Sequence, residues 1–268
     1  MSFAKLSRLI LLPFLLFVAA CAADDDKDKD YVEKPVGTLY NEAFDQFQKG
    51  EYKTAAKDFE EVDRQHPYSE WAARAELNAA YSYYLDDKYD EAISTLDHFI
   101  QLHPGNENAA YAYYLKAICS YEQIRDVQRD QSFTEAALGG LQEVVTRFPG
   151  TSYARDAKLK IDLVRDHLAG KDMEIGRYYQ QRELYPAAIN RFRNVIENYQ
   201  TTAQTPEALE RLVECYLALG LYDEAKAAGA VLGYNYPGSS WYEDAYRLLT
   251  ARGLAPERKK DSWMNKLF

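Results

Sequence analysis

A proline returns through this chain at a near-fixed interval and in similar company. Pro67 sits in HPYSEWA, Pro104 in HPGNENAAYAYY, Pro149 in FPGTSYARDA and Pro237 in YPGSSWYEDAY. Pro67 and Pro104 are 37 residues apart, as are Tyr52 and Tyr89, Ala55 and Ala92, Tyr185 and Tyr222, and Ala188 and Ala225. A period of this size belongs to stacked helical hairpins, because one hairpin cannot bury its apolar face alone and leans on its neighbours. The first unit reads Tyr52, Ala55, Phe59, Val62, Pro67, and the second Tyr89, Ala92, Leu96, Phe99, Pro104. The fifth reads Tyr222, Ala225, Gly229, Leu232, Pro237, with glycine at the large position.

The pattern resembles the tetratricopeptide repeat, and each of its residues has a physical task. Alanine lets the two helices of a hairpin approach closely, and the large residue four on shares its face and packs into the next hairpin. Gly50 and Gly220 suit the turn inside a hairpin. Proline ends the second helix, since the residue before it is pushed out of helical geometry. Ser69, Thr151 with Ser152, and Thr205 before Pro206 are candidate caps for the helices that follow. The aromatic after the proline is expected to pack across the joint between units. His66 and His103 are then equivalent loop positions rather than metal ligands.

Two units depart from the period. Pro104 to Pro149 is 45 residues, with the excess between Tyr121 and Ala136. Pro149 to Gln200, the equivalent position, is 51 residues. There Ala154, Ala157, Ile161, Val164 and Leu168 keep helical spacing, which predicts one long helix over about 152–182, bent at Gly170. The expected fold is all-α, a superhelix of about five hairpins. An N-terminal block covers 39–151, the connecting helix lies between repeats 3 and 4, and a C-terminal block covers 183–250.

The first residues read as a targeting segment. Lys5 and Arg8 precede an apolar run, Leu9 to Ala20, too short to span a bilayer comfortably. VAAC, ending at Cys21, resembles the bacterial lipoprotein box, in which the cysteine is lipidated and becomes the N-terminus. An ordinary secretory signal cleaved near Ala20 is the competing reading. A signal peptide over 1–20 leaves 30 basic and 42 acidic residues, a net charge of 30 − 42 = −12. A single acyl chain binds a membrane only marginally, so stable anchoring takes the several chains that such a cysteine carries. Residues 21–38, with AADDDKDKD, form a charged tether. Ala22 directly after the cysteine favours retention at the outer membrane.

Recognisable catalytic chemistry is missing. There is no HExxH, GxSxG, Walker loop or GxGxxG, and the four histidines lack ligand spacing. No enzyme activity, cofactor or metal is expected. The acidic balance, −10 over the whole chain, disfavours nucleic acid as a partner. Cys119 and Cys215 lie in apolar helical runs and are expected as buried free thiols, with a disulfide between them the alternative.

Beyond the repeat, HPYSEWA, AYAYYL, DVQRDQS, DHLAGKDMEIGRYY, RFRNVIENYQTT, PEALERLVECY and VLGYNYPGSSWY resemble the lipoprotein family that serves outer-membrane β-barrel assembly, across about 31–249. The resemblance implies an outer-membrane scaffold at the periplasmic face. Its implied partners are the POTRA domains of BamA, other lipoproteins of that complex, and unfolded β-barrel proteins. It also implies a partner contact in the C-terminal half. Arg191 in Asn190-Arg191-Phe192 is the candidate, with Arg193 as fallback. Arg191 is expected at the hairpin edge, so its replacement by Glu would weaken partner binding and spare the fold. The surface lined by the first helices offers Tyr40, Phe44, Phe47, Tyr81 and Tyr84 as candidates for receiving an extended segment of an unfolded barrel protein. Over 251–268, Trp263, Met264, Leu267 and Phe268 would share one helical face behind Arg258, Lys259 and Lys260, either docking on a membrane or partner or forming a disordered tail. Two other readings remain: a periplasmic repeat adaptor for cell-wall synthesis, and a repeat-containing lipoprotein enzyme.

Overall fold

The recurring alanine lies where two helices touch, and the helices form around it. The computed structural model describes residues 33–254, and among these are eleven α-helices and no strand. They are α1 (Val36–Gln48), α2 (Tyr52–Gln65), α3 (Ala72–Leu85), α4 (Tyr89–Leu102), α5 (Ala109–Glu122), α6 (Ser132–Arg147), α7 (Ser152–Gln181), α8 (Tyr185–Asn198), α9 (Thr205–Ala218), α10 (Tyr222–Asn235) and α11 (Ser240–Ala251). Each odd-numbered helix packs on the even one after it, and each even helix on the next odd one. Odd helices also touch one another, α3 with α5, α5 with α7 and α9 with α11. Ala55, Ala92, Ala137, Ala188 and Ala225 have no exposed surface, and neither do Phe59, Leu96, Leu141 and Phe192 four residues on. Gly229 takes the large position in α10 because Leu249 of α11 fills it: a Cβ there would lie 2.6 Å from Leu249 Cδ1.

The turn inside a hairpin is the same device four times. After α1, Gly50 N–H donates to Phe47 O and Glu51 N–H to Gln46 O. The pair recurs at Asp87 and Lys88, at Glu183 and Leu184, and at Gly220 and Leu221, and it closes α11 at Gly253 and Leu254. This is a Schellman motif, whose pivot residue is left-handed. Gly50 and Gly220 meet that need with φ of 79° and 74°. Asp87 and Glu183 occupy the same pivot at φ 56° and 60°, where a Cβ makes the conformation costly. The α5–α6 connection has a different build. Asp126 and Asp130 accept the N–H groups of Gln128 and Ser132, and Lys171 of α7 donates to Gln128 O at 3.2 Å.

At the joints between hairpins, Thr151 caps α7 by accepting the Ala154 N–H at 3.1 Å. Ser239 does the same for α11. Ser69 and Thr205 do not cap: Trp71 and Gln204 hold the cap positions of α3 and α9, and the Thr205 hydroxyl turns back to Tyr199 O. Trp71 packs across its joint, its ring 4.8 Å from that of Tyr40 in α1.

Helix α7 is unbroken over 30 residues, through Gly170. It does more than connect. Ala157, Ile161, Val164 and Leu168 pack against α5 and α6, and Ala169 and Met173 join the core built with α8 and α9. Of the two glycines in α7, the one with a packing reason is Gly176: a Cβ there would fall within 3.0 Å of three carbons of the Phe192 ring.

Candidate functional site

The odd helices carry aromatic residues at positions not needed for hairpin closure, and the stacking of hairpins sets them side by side. Phe44 and Phe47 of α1 lie 6.2 Å apart, Phe47 and Tyr81 of α3 5.9 Å, and Tyr81 and Tyr84 6.1 Å, the first and last of these pairs stacked. Tyr84 continues to Tyr89 at 5.9 Å. Farther along, Tyr111 and Tyr114 of α5 both meet Tyr153 of α7, at 5.7 and 5.3 Å. Tyr89, named above only as a repeat residue, and Tyr111, Tyr114 and Tyr153 join this surface beyond the candidates read from the sequence. The signal was there in AYAYYL, whose tyrosines outnumber what one buried face can use. Phe44, Phe47, Tyr81 and Tyr84 are therefore brought together. Tyr40 stands apart: it packs on Phe59 and Trp71, and its hydroxyl accepts from Asn78 Nδ2 at 2.7 Å. Burial pushes the Tyr84 and Tyr111 hydroxyls upward, so both remain neutral at physiological pH and able to donate. An aromatic ladder with polar tips can hold apolar side chains while its hydroxyls meet a backbone.

Arg191 is exposed on α8, and its pairing crosses to α7 instead of running along its own helix. Its Nη1 donates to Asp172 Oδ1 of α7 at 3.1 Å, and Asn194 Nδ2 donates to the other oxygen of Asp172 at 2.5 Å. The Asp172 side chain is 10% exposed and that of Arg191 44%. Arg191 thus clamps α8 to α7 and presents half of its side chain outward. Arg193 pairs along its own helix with Glu197 at 3.1 Å.

Two buried carboxylates also went unseen. Glu76 of α3 is 5% exposed and faces His98 Nδ1 at 2.5 Å and His103 Nε2 at 3.8 Å. Burial raises its carboxyl against the pull of His98. Glu210 of α9 is 3% exposed. Burial, then Glu214, push it up to about 8. Around it Arg211 donates to Glu214 at 2.7 Å, Arg177 to Glu207 at 3.1 Å, and Trp241 lies under the Arg211 guanidinium at 5.7 Å. Among the described residues no cluster of three or more His, Cys, Asp or Glu is arranged to hold a metal. No described helix is long and apolar enough to cross a membrane. Cys119 and Cys215 are free and buried, and burial pushes both thiols up to about 12. Cys21 and the tail residues Trp263, Met264, Leu267 and Phe268 lie outside the described residues.

A hairpin stack with two distinct surfaces fits many binding roles, and comparison with known proteins narrows them. A family model described as YfiO, outer membrane lipoprotein, matches residues 32–232. This chain belongs to that family. The outer membrane protein assembly factor BamD of Caulobacter vibrioides is 55% identical over 89% of this chain and 79% of its own length. The BamD of Rickettsia prowazekii is 49% identical over 91% and 98%. Among solved structures, the P58(IPK) TPR domain aligns over 82% of this chain and 56% of its own, at 16% identity and a TM-score of 0.42.

Proposed function

We propose that this chain is a non-catalytic scaffold of outer-membrane β-barrel assembly, held by lipid on Cys21 at the periplasmic face. It binds BamA through POTRA domains, works beside the other lipoproteins of that complex, and receives unfolded barrel proteins. The observation that carries the reading is the close likeness, over nearly the whole chain, to proteins named as outer membrane protein assembly factors.

The two surfaces divide the work. The ladder of Phe44, Phe47, Tyr81 and Tyr84 suits an extended chain, whose side chains alternate and whose backbone offers acceptors. The edge formed by α7 and α8 suits a folded partner, with the exposed half of Arg191 and the exposed Arg193 as charged contacts. A photocrosslinker placed at Phe44 or Tyr81 should capture C-terminal segments of barrel proteins in cells. One at Arg193 should capture BamA. Capture of cell-wall enzymes instead, with BamA absent, would overturn the scaffold reading.

A further inference from the structure

The turn edge of the C-terminal hairpins carries apolar residues that the equivalent N-terminal turns do not. Leu184 and Leu221 follow the left-handed pivots Glu183 and Gly220, and Leu219 precedes Gly220. The positions matching Leu184 and Leu221 hold Glu51 and Lys88, and the positions matching Leu219 hold Lys49 and Asp86. All four turns have the same pair of backbone hydrogen bonds. The turn therefore accepts a charged residue there, and leucine serves something else. An apolar contact back to the helix accounts for part of each leucine. Even so, Leu184, Leu219, Leu221 and Tyr222 stay between 41% and 50% exposed.

Helix α11 ends at this same edge. Its Schellman motif at Gly253 and Leu254 repeats those of α7 and α9, whose C-terminal ends carry the leucines. Leu254 packs on the C-terminal core, and α11 packs on α9 and α10. The sequence that follows thus starts beside the patch. It runs PERKKDSWMNKLF, with three cations ahead of Trp263, Met264, Leu267 and Phe268. Trp263 lies nine positions beyond Leu254, a reach of up to about 30 Å when extended. Neighbouring helix axes lie about 8–10 Å apart, so the α9–α10 turn is one helix away and the α7–α8 turn two. The patch is flanked by exposed Glu183, Asp223 and Glu224, opposite in sign to Arg258, Lys259 and Lys260, with Arg182 beside Glu183 and Lys226 paired to Asp223 at 2.8 Å.

We infer that residues 255–268 dock on this edge of their own chain, with Trp263 and its apolar companions covering Leu219, Leu221 and Leu184. The cations lie along the acidic rim. The site for the tail is thereby distinct from a membrane surface and from the aromatic ladder.

Trypsin tests this, because Arg258, Lys259 and Lys260 become cleavable only when the tail is released and cleavage follows the open population. In the full chain these sites should be cut at least tenfold more slowly than in the double variant Leu219→Asp, Leu221→Asp. Both leucines are exposed, and helical circular dichroism checks that the body is intact. Trp263→Ser, which alters only the tail, should accelerate cleavage to the same degree. Equal rates in all three proteins overturn the proposal. So does protection that grows with protein concentration, the mark of a second copy. A third overturning result is Trp263 emission, taken against Trp263→Phe, that moves to the blue only when vesicles of phosphatidylethanolamine and phosphatidylglycerol are added.

Discussion

Replacing Arg191 by alanine should weaken the fold, and the size of the loss follows from its partner. Asp172 is the anion at risk, with a side chain 10% exposed between α7 and α8. A hydrogen bond to a charged group contributes about 1.5–3 kcal/mol. Two features pull the loss toward the low end. Asn194 still donates to one oxygen of Asp172, and Arg191 is 44% exposed, so water partly replaces it. We expect a loss of about 1–2 kcal/mol for Arg191→Ala, or about 3–6 °C in Tm for a chain of this length. Arg191→Glu faces Asp172 with a second carboxylate and should lose about 2–4 kcal/mol. Arg193→Ala removes an exposed pair one helical turn long and should cost under about 0.5 kcal/mol. Urea and thermal melts give these values, and a double-mutant cycle with Asp172→Asn isolates the pair, with a coupling of about 1 kcal/mol expected. A coupling near zero, or an Arg191→Ala loss no larger than that of Arg193→Ala, would refute the clamp. The result also bears on partner binding: lost co-purification in Arg191→Glu mixes folding with contact, whereas Arg193→Glu tests contact alone.

Three further outcomes are expected. Gly170→Ala should stabilise α7 by about 1 kcal/mol, since helix propensity improves and the nearest atom, Val127 Cγ1, is 3.5 Å away; Gly176→Ala should destabilise by about 1–2 kcal/mol because its Cβ meets the Phe192 ring, and thermal melts separate the two. Glu210, raised to about 8 in the fold, keeps its proton there while the unfolded chain gives it up, so its contribution to stability declines as pH rises from about 4.5 to 8 and levels off above. The stability gained by Glu210→Gln should accordingly grow between pH 5 and pH 8, by on the order of 1 kcal/mol or more, and a gain independent of pH in urea melts would contradict this. Glu183→Gly should stabilise by up to about 1 kcal/mol by relieving the left-handed pivot at φ 60°, with Glu51→Gly, next to a pivot that is already glycine, as the control that gains nothing.

Most of the hairpin architecture was legible because it depends on positions fixed within one period. Ala55, Phe59, Val62 and Pro67 name a face, a depth and an end, and the same spacing names them again in the next unit. What escaped depends on pairs far apart in sequence. Nothing near Arg191 announces Asp172, which lies 19 residues back and on another helix. Asp87 and Glu183 hid two turns because neither residue type advertises a left-handed backbone as glycine does. Ser69 follows its proline at the same distance as Ser239, but α3 begins two residues later than a cap at Ser69 requires. The aromatic ladder was half legible: Phe44, Phe47, Tyr81 and Tyr84 share the first helices, whereas the part played by Tyr153 depended on where the long helix begins.

The interruption of the period explains how one helix can serve two hairpins. The fourth unit is fourteen residues longer than the 37-residue repeat. Fourteen residues are close to four α-helical turns, about 14.4 residues, so the inserted length rotates the apolar face by only about 40°. An insertion of twelve or sixteen would turn that face by about 120° or 160° and carry Ala169, Met173 and Gly176 away from α8. As it stands, Ala157, Ile161 and Val164 pack with α5 and α6, and Ala169, Met173 and Gly176, each twelve residues on and so about 120° round the helix, pack with α8. The insertion thus moves the next hairpin about 21 Å along the helix without breaking the helix or reversing the face. Arg191 and Asn194, both reaching back to Asp172, fix the second hairpin at that offset. On this reasoning, deleting four residues from α7 between Val164 and Ala169 would turn the later face by only about 40° and shorten the offset, and deleting two would turn it by about 160° and uncouple α8 from α7. Hydrogen exchange across α8 should therefore stay slow in the first variant and become fast in the second, and equal protection in both would mean that the face register of α7 is not what holds the C-terminal hairpins in place.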